Sequence, residues 1–311
     1  LVYPDSAGRC GQIRRGDVVS EALMSTAVRL GSSLDALAAL AAHVRIETEN
    51  LPADPRVRAL LADIAVELLG EPGGYGGHAA PVVGLARAFV QQAAELIENP
   101  GRVGSWDQIN VPLLQSIGRL SMAICDAVRT AAGMLPDLNS RLTAPGADFL
   151  DVGTGTGWLA IAMARSYPEL RVVGIDIFEP ALNLARSNIE AERIAGRVEV
   201  RRQDVAALDN EAGFDVIWLP MPFLPADIVP AALAAVSGAL RPGGWLLAGT
   251  FTGLDDRLSS LLTDLRTIRC GGHPWRSDEL VPTIAAAGFS DVAEVPRTWP
   301  APARLYVGRR P

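Results

Sequence analysis

The chain has 311 residues, of which 49% are hydrophobic and 20% are charged, and its net charge is −7 with an isoelectric point near 5.1. This composition excludes a disordered chain, and the length suits two domains rather than one. The acidic balance argues against a protein that holds nucleic acid through its phosphates. We therefore expect no nucleic-acid partner, although a local basic patch would leave rRNA or tRNA open as a substrate.

The three cysteines, Cys10, Cys125 and Cys270, are odd in number and widely spaced. That spacing fits neither a disulfide framework nor a zinc site, so we expect no metal and a reducing, cytoplasmic environment. No uninterrupted apolar run has the length of a membrane span, and the first residues lack a signal-peptide pattern. A membrane partner is therefore not expected.

The first half of the chain has helical periodicity and no alternating strand pattern before residue 147. Residues 1–16 lack this periodicity and are predicted to form a flexible lead, and residues 17–145 are predicted to form an all-helical domain. Gly31 is expected to divide the first apolar stretch into two helices. Later helices are predicted near residues 81–99, 107–118 and 118–134. A helical DNA-binding module is the alternative, but no cluster of basic residues supports it.

The segment Phe149–Ala160, with the sequence FLDVGTGTGWLA, joins a short apolar strand to an apolar helix through a glycine-dense turn. Gly153, Gly155 and Gly157 remove the Cβ at alternate positions, so the backbone can turn sharply and a ligand can lie against the main chain. The start of the helix also directs free N–H groups and positive dipole toward that ligand.

The spacing of these glycines distinguishes between ligand classes. The dinucleotide fingerprint G-x-G-x-x-G would place its third glycine at position 158, which is Trp158, so an NAD-dependent oxidoreductase does not fit. A phosphate-binding P-loop requires a lysine, and all 28 basic residues of this chain are arginine. The absence of lysine also excludes a Schiff-base mechanism on this chain.

From residue 147 onward, short apolar strands alternate with helical patterns, which predicts a mostly parallel sheet covered by helices on both faces. Ligands of such α/β sheets bind beyond the carboxyl ends of the strands, where Asp151, Asp176, Asp204 and Pro220 are expected to lie. The predicted strands are residues 147–152, 171–175, 197–201, 214–219, 243–250, 290–295 and 303–309. The predicted helices are residues 156–167, 179–192, 228–239 and 255–267, with one more near 277–287.

The segment Asp151–Gly157 resembles motif I of the class I S-adenosylmethionine-dependent methyltransferases. Four further landmarks of that family follow in order at Arg171–Asp176, Glu199–Val205, Phe214–Pro220 and Leu240–Leu247. The resemblance covers residues 146–311. It implies a Rossmann-like, doubly wound seven-stranded α/β domain that binds S-adenosylmethionine and releases S-adenosylhomocysteine.

The resemblance also implies roles for individual residues. Asp176 would accept the ribose hydroxyls and Asp204 the adenine amino group, although Asp176 could instead cap the helix at Glu179 and Asp204 the turn at residues 206–208. The implied cofactor-binding residues are Asp151, Gly153, Thr154, Gly155, Gly157, Asp176, Ile177, Asp204, Val205 and Leu219.

The segment after the fourth strand, Leu219–Pro225, has the sequence LPMPFLP. Family members that methylate amino or amide groups of nucleic acid and protein usually have Asp/Asn-Pro-Pro-Tyr there, so this departure counts against such substrates. Three prolines with Met221 and Phe223 favour a stiff apolar rim that suits a hydrophobic small molecule. The predicted substrate-pocket residues are Trp106, Asn110, Met122, Asp126, Trp218, Met221 and Phe223, of which Trp218 could equally be a core residue.

A catalytic base, if the acceptor needs one, is sought among three histidines. His78 follows the glycine-rich loop that begins at residue 71, and His273 lies in the sequence GGHPW. Either could face a pocket between domains or be an exposed loop residue. His43 lies in an apolar helix pattern and is expected to have no chemical role.

The sequence therefore predicts an enzyme that methylates a hydrophobic small molecule, at oxygen first, then carbon or nitrogen, in secondary metabolism. The helical domain is expected to cover the pocket or to form a homodimer interface. The alternative is a non-catalytic cofactor-binding or dimerising regulator with the same fold.

Overall fold

The structure, a computed structural model, describes residues 15–70, 74–75, 79–105, 110–208, 213–253, 255–299 and 302–311, with side chains from residue 21. Two compact units divide the chain, Leu1–Val90 and Gln91–Pro311. Nearly all of the predicted flexible lead lies outside the described residues. The predicted functional division at residue 145 stays a prediction.

The first unit contains α1 (Arg15–Glu49), α2 (Pro55–Leu69) and the start of α3 (Ala79–Glu98). The predicted division of α1 at Gly31 is wrong, because the helix continues through that residue. A single glycine costs only about 1 kcal/mol inside a helix, and the long flanking helical sequence offsets this cost. α2 begins at Pro55, and the Asp54 carboxylate caps it by accepting the N–H of Arg56 at 2.8 Å.

The second unit begins with the end of α3 and contains α4 (Val111–Met134) and α5 (Pro136–Thr143). The prediction of two helices meeting at residue 118 is wrong, because α4 is one helix with Gly118 inside it. Within the described parts of the chain, α4 is a helix long and apolar enough to cross a membrane by length and composition. Its buried residues, which include Cys125 and Val128, pack in the protein core.

Seven strands form a single sheet in the order β3-β2-β1-β4-β5-β7-β6, parallel except for β7, which is antiparallel to β5 and β6. This result confirms the predicted Rossmann-like, mostly parallel α/β fold. The strands are β1 (Asp148–Val152), β2 (Arg171–Asp176), β3 (Val198–Arg202), β4 (Phe214–Pro220), β5 (Leu240–Phe251), β6 (Ser290–Glu294) and β7 (Ala303–Arg309).

Helices cover both faces of this sheet. They are α6 (Trp158–Ser166), α7 (Glu179–Ala191), α8 (Val229–Ala239), α9 (Arg257–Arg269) and α10 (Ser277–Ala286), with single 3₁₀ turns at Val205–Ala207 and Met221–Phe223. Successive residues of β1 point to opposite faces, so Phe149 joins the core under α4 and α6, and Leu150 joins the core under α8 and α10. Two buried faces fix the register and hold the carboxyl ends of β1, β2 and β4 side by side.

Candidate cofactor and acceptor site

The glycine turn, residues 153–157, connects β1 to α6 at the carboxyl edge of the sheet. Gly153, Gly155 and Gly157 have φ angles of +64°, +53° and +80°, a region that L side chains rarely adopt. The turn is closed by a hydrogen bond of 2.8 Å from Gly157 N to the Thr154 carbonyl. The sequence therefore needs glycine at all three positions to make this bend.

Space as well as conformation requires two of these glycines. A Cβ on Gly153 would stand 3.1 Å from Cγ of Pro220, and a Cβ on Gly157 would stand 3.2 Å from the methyl group of Ala185. A Cβ on Gly155 would have only the Gly153 carbonyl oxygen nearby, at 4.0 Å. Gly155 therefore presents bare main chain toward open space, as ligand contact requires.

Asp176 ends β2 beside this turn and binds the backbone on both sides. One carboxylate oxygen accepts the N–H of Gly155 and the other accepts the N–H of Phe178, each at 2.9 Å. Burial raises the pKa of Asp176, while the N–H groups of Phe178, Gly155 and Ile177 oppose that rise by stabilising the charge. Each oxygen keeps further acceptor capacity for a pair of hydroxyl groups.

Asp151 lies one layer beneath the turn with 1% of its surface exposed. Burial raises the pKa of Asp151 to about 7, the hydroxyl of Thr154 lowers it, and the charge of Asp176 raises it further. Thr154 Oγ1 donates to Asp151 Oδ2 at 2.7 Å. Asp151 thus supports the turn from below and belongs to the same electrostatic group as Asp176.

Comparison with known proteins relates the chain that forms this site to a protein family. Residues 149–244 match the family model described as "Methyltransferase domain". This segment therefore belongs to a methyltransferase domain of the class I S-adenosylmethionine-dependent type. The resemblance drawn from motif I and the landmarks after it is confirmed.

Among curated relatives, the chain is 31% identical over 130 residues to a release factor glutamine methyltransferase of Rhodopirellula baltica, which covers 40% of each protein. The chain thus spans less than two thirds of that relative. An O-methyltransferase family protein from Burkholderia thailandensis has a similar fold, with a TM-score of 0.60 and 19% identity over 94% of this chain and 98% of that one. Mitomycin 7-O-methyltransferase gives a TM-score of 0.58 and 18% identity over 96% and 100%.

The residues of the methyltransferase domain fit the cofactor of this family. S-adenosylmethionine needs a carboxylate for its ribose, an apolar surface for its base and bare main chain for its tail. Asp176 supplies the first, Ile177, with 65% of its surface exposed, supplies the second, and the open main chain at Gly155 supplies the third. These three residues would hold the ribose, the base and the tail of S-adenosylmethionine.

The remaining predicted cofactor residues lie at the same edge of the sheet. Asp204 is exposed and accepts the N–H of Ala206 at 2.9 Å, so its capping role is present, while its adenine role stays a prediction. Val205 and Leu219 are buried in the core under α8. They support the site from below, and a direct cofactor contact of either stays a prediction.

A small cleft of about 30 Å³ lies beyond the carboxyl ends of β4 and β5. Thr250 and Phe251 of β5, Asp264 of α9 and His273 contribute to it; the other lining residues are Pro222, Thr263, Thr267, Pro274, Trp275 and Arg276. Its walls combine apolar rings with an Arg276–Asp264 ion pair. The cleft therefore presents both apolar rings and polar groups at this edge of the sheet.

His273 is the described histidine that meets this cleft. Its Nε2 lies 3.6 Å from Glu279 Oε2, and its ring meets the Trp275 ring edge-on at 4.6 Å. An imidazole at the edge of such a cleft is a candidate proton acceptor. His78, the other candidate, lies outside the described residues. His43 is buried against Tyr75 in the first unit, as expected of a structural residue.

The structure disperses the predicted substrate-pocket residues. Phe223 contacts Phe251 of the cleft edge-on at 5.7 Å, whereas Met221 and Trp218 are buried in the two cores. Asn110 caps α4 by accepting the N–H of Leu113 at 3.0 Å, and Asp126 is exposed and pairs with Arg129 at 3.2 Å. Met122 packs on the core under α4, and Trp106 lies outside the described residues. A substrate role for each stays a prediction.

Sequence reasoning missed two groups of residues that the fold brings to the site. Thr250, Asp264 and Arg276 line the cleft, and their spacing in the sequence carries no recognisable pattern. Gln115 and Asn188 contact the glycine turn and its helix from elements 73 residues apart. Isolated amides on helices give no sequence signal, so contacts of this kind become visible only in the folded chain.

Proposed function

We propose that the chain transfers the methyl group of S-adenosylmethionine to a small, largely apolar molecule, with oxygen as the first choice of acceptor atom. One observation carries the proposal: the Asp176–Gly155 site and the small cleft bearing His273 share one edge of the sheet. The fold similarity to an O-methyltransferase family protein and to mitomycin 7-O-methyltransferase over nearly the whole chain supports it. Secondary metabolism is the setting we propose.

The cofactor, when bound, supplies an electrophilic methyl group on a positively charged sulfur. The protein's own task is to hold the acceptor in line with that methyl group and to exclude water. Pro222 and Phe223 form a rigid apolar wall for this purpose, because two of the three residues in the 3₁₀ turn at residues 221–223 are buried. His273 would take the proton from an acceptor hydroxyl, with Glu279 stabilising the imidazolium that results.

The curated relative from Rhodopirellula baltica is named for a protein substrate. For this chain we propose a small molecule instead, because Leu219 stands where enzymes of that type have a polar residue and Phe223 gives the only ring of the segment. The partly buried Phe223 packs on Phe251, which favours recognition of an apolar ring. A small molecule therefore fits this rim better than a peptide amide does.

We also propose that the helical part of the chain forms a homodimer. α1 and α2 expose apolar side chains at helical spacing, among them Leu23, Met24, Val28 and Leu60, each with more than half of its surface exposed. Exposed apolar residues in this number are typical of an interaction surface. Light scattering after size exclusion tests it: a monomer at micromolar concentration would rule the homodimer out.

The first experiment is calorimetric titration of the purified chain with S-adenosylmethionine, S-adenosylhomocysteine and NAD. Micromolar binding of the two sulfur nucleosides without NAD binding supports the proposed cofactor site. Incubation with a panel of phenols and hydroxylated heterocycles, followed by detection of S-adenosylhomocysteine, then tests turnover. Binding without turnover on any acceptor would favour the non-catalytic regulator, and no binding of either sulfur nucleoside would overturn the proposal.

A further inference from the structure

The glycine turn is held between two helices that carry none of the predicted nucleoside contacts. On α4, Gly118 lies so close that a Cβ there would overlap the hydroxyl of Thr156. On α7, Cα and Cβ of Ala185 lie 3.5 and 3.2 Å from where a Cβ of Gly157 would stand. Because packed interiors transmit displacement, a shift of either helix moves the turn.

The hydroxyl of Thr156 shows that packing against α4 constrains the turn. Its Oγ1 is buried, and the described residues offer it no hydrogen-bond partner. An unpaired buried hydroxyl costs free energy, so this arrangement persists only where surrounding contacts impose it. The position of the turn is therefore set by its neighbours and not by the turn's own hydrogen bonds alone.

The neighbouring contacts are concentrated in one pair of amides. Gln115 of α4 donates from Nε2 to Asn188 Oδ1 at 3.0 Å, and Asn188 of α7 donates from Nδ2 to Gln115 Oε1 at 3.1 Å. Asn188 Nδ2 also donates to the Thr156 carbonyl at 2.8 Å, and Trp158 Nε1 donates to Gln115 Oε1 at 2.7 Å. The pair thus joins both helices to the last residues of the turn and the first residue of α6.

We infer that Gln115 and Asn188 are positioning residues for cofactor binding, which act through the glycine turn. The inference rests on the proposed function, since it concerns the site that would hold S-adenosylmethionine. Neither side chain need touch the cofactor. Their amide pair fixes the main chain of residues 155–157, the part of the turn that the cofactor's tail would contact.

Chemistry explains why this turn needs external support. Glycine has more backbone freedom than any other residue, and three glycines in five residues leave the turn poorly determined by local sequence. When backbone groups of a site must become ordered upon binding, the entropy cost of that ordering lowers the affinity. The Gln115–Asn188 pair, together with Gly118, orders the turn in advance, so its loss should weaken cofactor binding without removing any cofactor contact.

The test compares Gln115→Met and Asn188→Leu, which keep the approximate volume and remove the amides, with Asn183→Leu, an exposed amide of α7, as the matched control. S-adenosylhomocysteine is titrated by calorimetry well below the unfolding temperature of each variant. We expect Kd to rise about tenfold or more for the first two variants and to stay unchanged for the control, since loose support around a site costs affinity steeply.

Three further measurements separate positioning from plain stability. The double variant should lose no more affinity than the weaker-binding single variant, because the two amides act as one unit. Hydrogen exchange should accelerate in the peptide covering residues 149–160 and not across the sheet. Gln115→Glu, which keeps the acceptor for Trp158, should recover part of the affinity.

Unchanged Kd in folded Gln115→Met or Asn188→Leu would overturn the inference, as would additive losses in the double variant. If Gln115→Met does not fold, Asn188→Leu decides alone, because Asn188 is only partly buried. Failure of the unaltered chain to bind S-adenosylhomocysteine would overturn the proposed function and the inference with it. Normal binding by the unaltered chain and by both variants would overturn the inference alone.

Discussion

Asp176 accepts the backbone N–H of Gly155 at 2.9 Å, so the carboxylate that ends β2 is attached to the turn that follows β1. This bond joins the two halves of the nucleoside site: the group suited to the ribose and the main chain suited to the tail. Burial of Asp176 raises its pKa, and the N–H donors limit that rise by stabilising the carboxylate. One side chain therefore serves both the shape and the charge of the site.

Replacement of Asp176 by alanine should weaken S-adenosylmethionine binding severely. Each charged hydrogen bond lost to the ribose costs about 1.5–3 kcal/mol, and Gly155 loses its acceptor as well. Calorimetry measures the effect, with Glu190→Ala, an exposed acid on α7, as the control. Unchanged affinity in Asp176→Ala would refute its role as the ribose anchor.

The ionisation of Asp151 should determine part of the pH dependence of the protein's stability. Burial raises the pKa of Asp151 from 3.8 to about 7. Between about pH 4 and about pH 7, the folded chain therefore holds a proton that the unfolded chain has released. The raised pKa favours folding fully below about pH 4, and this contribution is lost as pH rises through about 7. Above that pH the folded protein bears a buried charge.

Asp151→Asn removes this ionisation and keeps an oxygen that can accept from Thr154. Its unfolding temperature should therefore fall less than that of the unaltered chain between about pH 5 and about pH 8. Thermal unfolding of both proteins across that range measures the difference. Parallel curves for the two proteins would show that Asp151 does not titrate as the burial predicts.

The sequence predicts the sheet well because each parallel strand is a short apolar run bounded by turn residues. Both boundaries of each of the five strands before β6 lie within three residues of the predicted positions. Motif I and Asp176 are recognisable from their own local sequence. Prediction failed at Gly31, where glycine was taken as a helix break although α1 continues, and at residue 118, where two predicted helices are the single helix α4. Gln115 and Asn188 were missed for a different reason: their pairing depends on how α4 and α7 pack, which local sequence does not encode.

His273→Gln should reduce kcat while leaving the affinity for S-adenosylhomocysteine unchanged, if the imidazole takes a proton from the acceptor. General base catalysis typically contributes about 10²–10⁴-fold, so a loss of that size is expected with a hydroxyl acceptor. His78→Gln is the matched variant, and a loss confined to it would move the role to His78.

Asp215→Ala should destabilise the methyltransferase domain without weakening its cofactor site. The carboxylate lies at the opposite edge of the sheet, at the start of β4, where it accepts from Arg141 Nη1 and from the backbone N of Asp148, each at 3.0 Å. It also pairs with Arg241. Removing it leaves two arginines beside a nearly buried position, which costs about 3 kcal/mol, at the low end for a broken buried pair because both arginines are partly exposed.

That cost should lower the unfolding temperature by about 6–12 °C for a unit of this size. Binding of S-adenosylhomocysteine well below the unfolding temperature should remain as in the unaltered chain, because no strand end at the site depends directly on Asp215. Glu190→Ala, an exposed acid of α7, provides the control. A loss of affinity in folded Asp215→Ala would mean that the two edges of the sheet are coupled, so that support of the site extends well beyond the turn and its two helices.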